Sequence, residues 1–222
     1  MASAELNSIA LKMVARKKGI LAADESTGTM TKRLDSINVD STSESRRQWR
    51  QLLFQTPDIG DYISGVIMYD ETIRQLDDSG KTLVELLADN DILSGIKVDN
   101  STHDLAGAPD EFITEGLDGL RGRLAEYYKL GARFTKWRAL ITVGEGRPTD
   151  YAINTNMHAL ARYSALCQEQ GLVPIVEPEI LMDGTHSIDD CRAATTRSLI
   201  TVFEELDAQN VDLEGIVLKP NM

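Results

Sequence analysis

Apolar positions along the chain follow two periods, and the switch between them marks out the elements. Short runs rich in β-branched residues at 19–23, 65–69, 95–98, 133–137, 173–180 and 213–218 read as strands. Between them, apolar residues recur at helical spacing. Leu6, Ile9, Ala10 and Met13 share one face of a first helix within 4–17, and 29–34 begins a second that carries Lys32 and Arg33. A third opens at Ser41-Thr42-Ser43-Glu44, where the serine and glutamate have capping-box spacing. Trp49, Leu52 and Leu53 form its apolar side, and Arg46 and Arg47 its polar side. Leu83, Leu86 and Leu87 mark the next helix, followed by Leu117, Leu120, Leu124 and Tyr128. Ile153, Met157, Leu160 and Ala161 define a helix closed by Gly171, and Leu199, Val202, Phe203 and Leu206 define one capped over Ser187 to Asp190.

Strands with helices interposed and no hairpin signal describe an α/β chain with a parallel sheet. The strands recur every ~40 residues, the length of a β/α unit in an eight-fold barrel. Periodicity alone also fits an open six-stranded parallel sheet. No linker, repeat or low-complexity tract divides the chain, so residues 1–222 read as one domain.

Composition narrows the functional classes. A formal charge of −12 argues against general nucleic-acid binding, which needs a basic face. Without an apolar run of membrane-spanning length or a secretory pattern at the start, the expected location is the cytosol and no membrane partner is expected. Cys167 and Cys191 fall in helical segments and read as buried thiols. His103, His158 and His186 lack metal-ligand spacing, so no metal is expected. Gly144-Glu145-Gly146 reads as a turn.

Charges stand where strands should be most apolar. Lys97 and Asp99, Lys136 and Arg138, and Glu177 and Glu179 are each two residues apart, so each pair shares a strand face. Asp24 and Lys219 end their strands. Isolated charges in such places are costly, whereas four cations facing four anions compensate one another. Such a cluster fits chemistry better than stability, since ion pairs rarely improve on apolar packing. Lys219 ends the apolar run Leu213 to Leu218 in what reads as a buried strand. Two readings of it stand: a side chain reaching out to solvent, or an amine that sheds its hydration and becomes a nucleophile.

The residues Glu214-Gly215 and Leu218-Lys219-Pro220-Asn221 resemble the Schiff-base signature of the class I fructose-bisphosphate aldolases, with Val217 a mild departure. Further matches are Gly19 to Gly28 (GILAADESTG), Gly95-Ile96-Lys97-Val98-Asp99, Gly116-Leu117-Asp118-Gly119-Leu120, Phe134-Thr135-Lys136-Trp137-Arg138 and Val173 to Ile180 (VPIVEPEI). The resemblance implies a (β/α)8 TIM barrel, incomplete here at about six of eight units, truncated after strand six and lacking the family's C-terminal part. The native product is then expected to be longer, or to need a complementing segment. Open edges are expected on strands one and six.

The resemblance implies no cofactor and a metal-independent, reversible cleavage of fructose 1,6-bisphosphate to dihydroxyacetone phosphate and glyceraldehyde 3-phosphate. Lys219 would form the Schiff base, with Glu177 the general acid/base, Asp24 acting at the hydroxyl beside the breaking bond, and Glu179 and Lys136 tuning the charges. Arg46, Lys136 and Arg138 match substrate-binding positions, with Lys97, Arg33 and Lys32 around the aldehyde-side phosphate. The partner implied is a phosphorylated sugar, and the family is commonly tetrameric, so a homo-oligomer is expected. Two alternatives remain open: another Schiff-base aldolase or a transaldolase, and a catalytically silent binding or assembly module.

Overall fold

The structure, a computed structural model, describes residues 2–220. Asn221, which closes the signature around Lys219, lies outside the described residues. Strands β1 (Gly19–Ala23), β2 (Ile63–Met68), β3 (Leu93–Lys97), β6 (Phe134–Ile141), β7 (Val173–Ile180) and β8 (Val217–Leu218) form a sheet in the order β1-β2-β3-β6-β7-β8. Each expected strand is present in α/β order, and the pairs β1/β2, β2/β3 and β7/β8 are parallel. A second sheet was not expected. It is the antiparallel pair β4 (Ser101–Asp104) and β5 (Phe112–Glu115), whose strands are short and largely polar and so leave no apolar alternation to read.

Two compact units emerge. One comprises Leu11–Lys97 and Glu126–Thr135; the other comprises the described residues up to Ala10, Val98–Ala125, and those from Lys136. In the first unit, α2 (Thr27–Asp35) starts at Ser26, whose hydroxyl accepts from the Thr29 amide. Helix α3 (Ser43–Phe54) is capped reciprocally by Thr42 and Ser45, not by the Ser41 and Glu44 that the sequence suggested. Its burial also inverts the expectation. Arg46, Arg50, Gln51 and Phe54 face inward, while Leu52 is 67% exposed. The arginines find carboxylate and carbonyl partners inside, which apolar periodicity cannot register. Short helices α4 (Ile59–Tyr62) and α5 (Asp70–Ile73) flank β2, and α6 (Leu83–Ala88) leads into β3. The glycines of β2 and β3 make room for Phe134, whose buried ring lies against both Gly65 and Gly95.

In the second unit, the long helices α8 (Asp150–Glu169) and α9 (Ile188–Ala208) accompany β7. Thr149 and Ser187 cap them, the latter with Asp190 as expected. Trp137 and Tyr163 stack with centroids 5.5 Å apart, both fully buried. Gln168, near the end of α8, anchors the approach to β8: its amide nitrogen donates to Asp212 O at 2.8 Å and its carbonyl accepts from Asp212 N at 2.9 Å. The last expected strand is shorter than the sequence reading. Leu213–Gly215 is a 3-10 turn, leaving Val217 and Leu218 as strand, both half-buried. Among the described residues β8 pairs only with β7, at the end of the strand order, which accounts for its partial exposure. Cys167 is buried as expected, whereas Cys191 is only half-buried. Gly144 to Arg147 forms the expected turn, with Glu145 at a φ of 53°. His103 lies on β4.

Candidate active site

Parallel register explains the first ion pairs. β8 pairs Val217 with Ile175 and Leu218 with Val176, and the Lys219 amide donates to Val176 O at 2.9 Å, so Lys219 falls beside Glu177. Its Nζ donates to Glu177 Oε1 at 2.6 Å. On the other side, Lys136 Nζ stands 3.7 Å from Glu177 Oε2. That second oxygen is buried and lacks a hydrogen-bond partner among the described residues. A buried carboxylate flanked by two lysines, with one acceptor unsaturated, can take and return a proton.

One rung further along the strands, Arg138 Nη1 lies 3.2 Å from Glu179 Oε2. The pairs grade from inside to outside. The Lys136 and Glu177 side chains are 11% and 5% exposed, those of Arg138 and Glu179 44% and 30%. The same-face spacing of two read from the sequence therefore produces two cross-strand ion pairs. The Lys219 side chain is 47% exposed, more than a buried strand end allows, because the two-residue β8 leaves it near the sheet's rim.

The remaining expected residues fall in the other unit. Asp24 follows β1 and is buried at 9% exposure. Arg33 pairs with Glu25. Arg46, on the inward face of α3, binds Glu71 through two bonds of 2.8 and 2.6 Å and also reaches Ser41. Those bonds from Arg46 hold the Glu71 carboxyl below its ordinary range. Lys97 ends β3 half-buried, and Lys32 is exposed on α2. Sequence reasoning missed Arg50, Glu25 and Glu71. Arg50 stands four residues from both Arg46 and Phe54, a helical spacing that marks one face, but its charge argued for the outside.

Among the described residues no group of histidine, cysteine or acidic side chains could hold a metal ion, and no helix is long and apolar enough to cross a membrane. The family model described as fructose-bisphosphate aldolase class-I matches residues 5–222. The chain belongs to that family. A probable fructose-bisphosphate aldolase class 1 of Xanthomonas campestris pv. campestris is 54% identical over 222 residues, which cover all of this chain and 66% of that protein. The cytosolic fructose-bisphosphate aldolase 4 of Arabidopsis thaliana is 52% identical over 205 residues, 92% of this chain and 52% of the relative. Among solved structures, a fructose-bisphosphate aldolase from Plasmodium falciparum in complex with TRAP and a small-molecule inhibitor matches with a TM-score of 0.98 at 48% identity. That match covers 100% of this chain and 64% of the other. The chain thus spans about two-thirds or less of the length of these aldolases. A likeness this close decides between the two α/β arrangements that periodicity left open: the fold is the aldolase barrel type, with six of its strands present.

Proposed function

We propose that this aldolase-family chain carries the Schiff-base chemistry of fructose 1,6-bisphosphate cleavage. The observation that carries the reading is the 2.6 Å bond from Lys219 Nζ to Glu177 Oε1, with Lys136 on the other carboxylate oxygen. Glu177 takes a proton from Lys219, and the neutral amine attacks the substrate ketone carbon to give a carbinolamine. Glu177 returns a proton to the departing hydroxyl, water leaves, and an iminium forms. The carbon–carbon bond then breaks toward the iminium nitrogen, giving an enamine, while a base takes the proton of the neighbouring hydroxyl. Asp24 is assigned to that hydroxyl.

Glyceraldehyde 3-phosphate leaves first. Protonation of the enamine carbon and hydrolysis of the imine release dihydroxyacetone phosphate and restore the lysine.

Substrate binding is assigned to Lys136, Arg138, Arg46, Lys97, Arg33 and Lys32. Arg138, Arg46 and Arg33 already hold carboxylates, and a phosphate matches the same planar fork. Glu179 and Lys136 tune the charges around the reacting groups. A cytosolic location accords with the cytosolic Arabidopsis relative, and a homo-oligomer is expected from the family resemblance. Cleavage of fructose 1,6-bisphosphate that persists in a chelator supports this reading; activity confined to other keto sugars, or its absence from a folded chain, contradicts it. The 47% exposure of the Lys219 side chain favours the second reading, a silent binding module, because a hydrated ammonium is a poor nucleophile.

A further inference from the structure

Arg50 is fully buried, a state that a guanidinium occupies only with partners. Its partners are backbone. Nε donates to the Ala23 carbonyl at 3.3 Å and Nη2 to the Glu25 carbonyl at 2.8 Å. These two carbonyls flank Asp24, so one planar fork from α3 grips the backbone just before Asp24 and just after Glu25, bracketing the carboxylate that follows β1. Glu25 supplies counter-charge, with Oε2 3.7 Å from the same Nη2 and Arg33 on its outer side.

The arrangement is poor as a stabilising device. Arg50 Nη1 and Glu25 Oε2 are both buried without a hydrogen-bond partner among the described residues. Burial also lowers the proton affinity of Arg50, with Glu25 and Glu71 opposing that loss. An apolar side chain of similar volume would avoid these costs. What it could not do is hold two carbonyls at a fixed separation, since a rigid fork of donors is particular to arginine.

We propose that Arg50 is a positioning residue for Asp24, clamping the chain on either side so that the carboxylate is presented in one orientation. Lysine cannot replace it, because a single ammonium does not span both carbonyls. What the oriented Asp24 then does rests on the aldolase reading above. The clamp itself does not.

The clamp is tested without substrate. In the wild-type chain, backbone order parameters at Asp24 and Glu25 should match rigid strand, about 0.85, and values below about 0.6 would overturn the proposal. In Arg50→Met and Arg50→Lys, hydrogen exchange of the segment 22–28 should rise at least about tenfold while β2 and β3 stay protected. Unchanged exchange in a folded variant would equally overturn it. The catalytic arm compares each variant with Asp24→Ala. Borohydride trapping of dihydroxyacetone phosphate on Lys219 should stay within about threefold of wild type, while cleavage falls about 10²-fold or more, as in Asp24→Ala. Equal loss of trapping and cleavage would mark Arg50 as merely structural. If the wild-type chain itself neither traps nor cleaves, the aldolase reading fails and the order parameters and exchange alone decide the clamp.

Discussion

Lys219 and Glu177 are 42 residues apart in sequence and 2.6 Å apart in space, joined because β7 and β8 are parallel and in register at Val176 and Leu218. The bond gives the carboxylate an immediate proton donor, and the 3.7 Å approach of Lys136 to its other oxygen puts a lysine on each side of it. Replacing Glu177 by Gln keeps the shape and removes the proton acceptor. Imine formation by the E177Q chain should slow by about 10²–10⁴-fold with the fold intact, measured as the rate of trapping at Lys219. A rate within threefold of wild type would remove Glu177 from the mechanism.

The ion pair between Arg46 and Glu71 ties α3 to α5, and its strength should depend on pH. Glu71 has a folded pKa below its ordinary 4.5. Its contribution is therefore present above the unfolded value and is lost as pH falls through the folded one. At pH 7, Glu71→Gln should cost about 1 kcal/mol in urea unfolding, and the two proteins should converge as pH falls through the lowered folded value. A constant difference from pH 7 to pH 3 would show that charge is not what the pair contributes.

Most strands were legible because parallel strands are continuous apolar runs, and the charged exceptions at Lys136, Arg138, Glu177 and Glu179 stood out against them. The spacing of two told which charges share a face, and the structure turns that into the cross-strand pairs Lys136–Glu177 and Arg138–Glu179. Burial of charge was not legible. The inward side of α3 carries Arg46 and Arg50 while Leu52 faces out, the reverse of what hydropathy predicts. The partners that make this affordable, Glu71 and the carbonyls of Ala23 and Glu25, are distant in sequence. The β4/β5 hairpin escaped for a different reason. Its hold on the fold runs through Thr114 Oγ1 to Arg138 O at 2.7 Å and Asn156 Nδ2 to Phe112 O at 2.8 Å, polar bonds that periodicity does not encode.

Glycine in β2 and β3 is a packing requirement. A methyl group added at Gly95 would overlap the ring of Phe134, which is fully buried. Gly95→Ala should destabilise by about 1–3 kcal/mol. The double variant Gly95→Ala with Phe134→Leu should lose less than the sum of the two single changes, because the smaller side chain vacates the overlap. Additive losses in thermal or urea unfolding would argue against this contact as the constraint.

The most direct measurement on the account as a whole is borohydride reduction of the chain in the presence of dihydroxyacetone phosphate, followed by peptide mass spectrometry. One adduct is expected, on Lys219, lost in Lys219→Ala and slowed in Glu177→Gln. A folded chain that gives no adduct, or gives it on Lys136 instead, would contradict the assignment of Lys219 as the Schiff-base nucleophile.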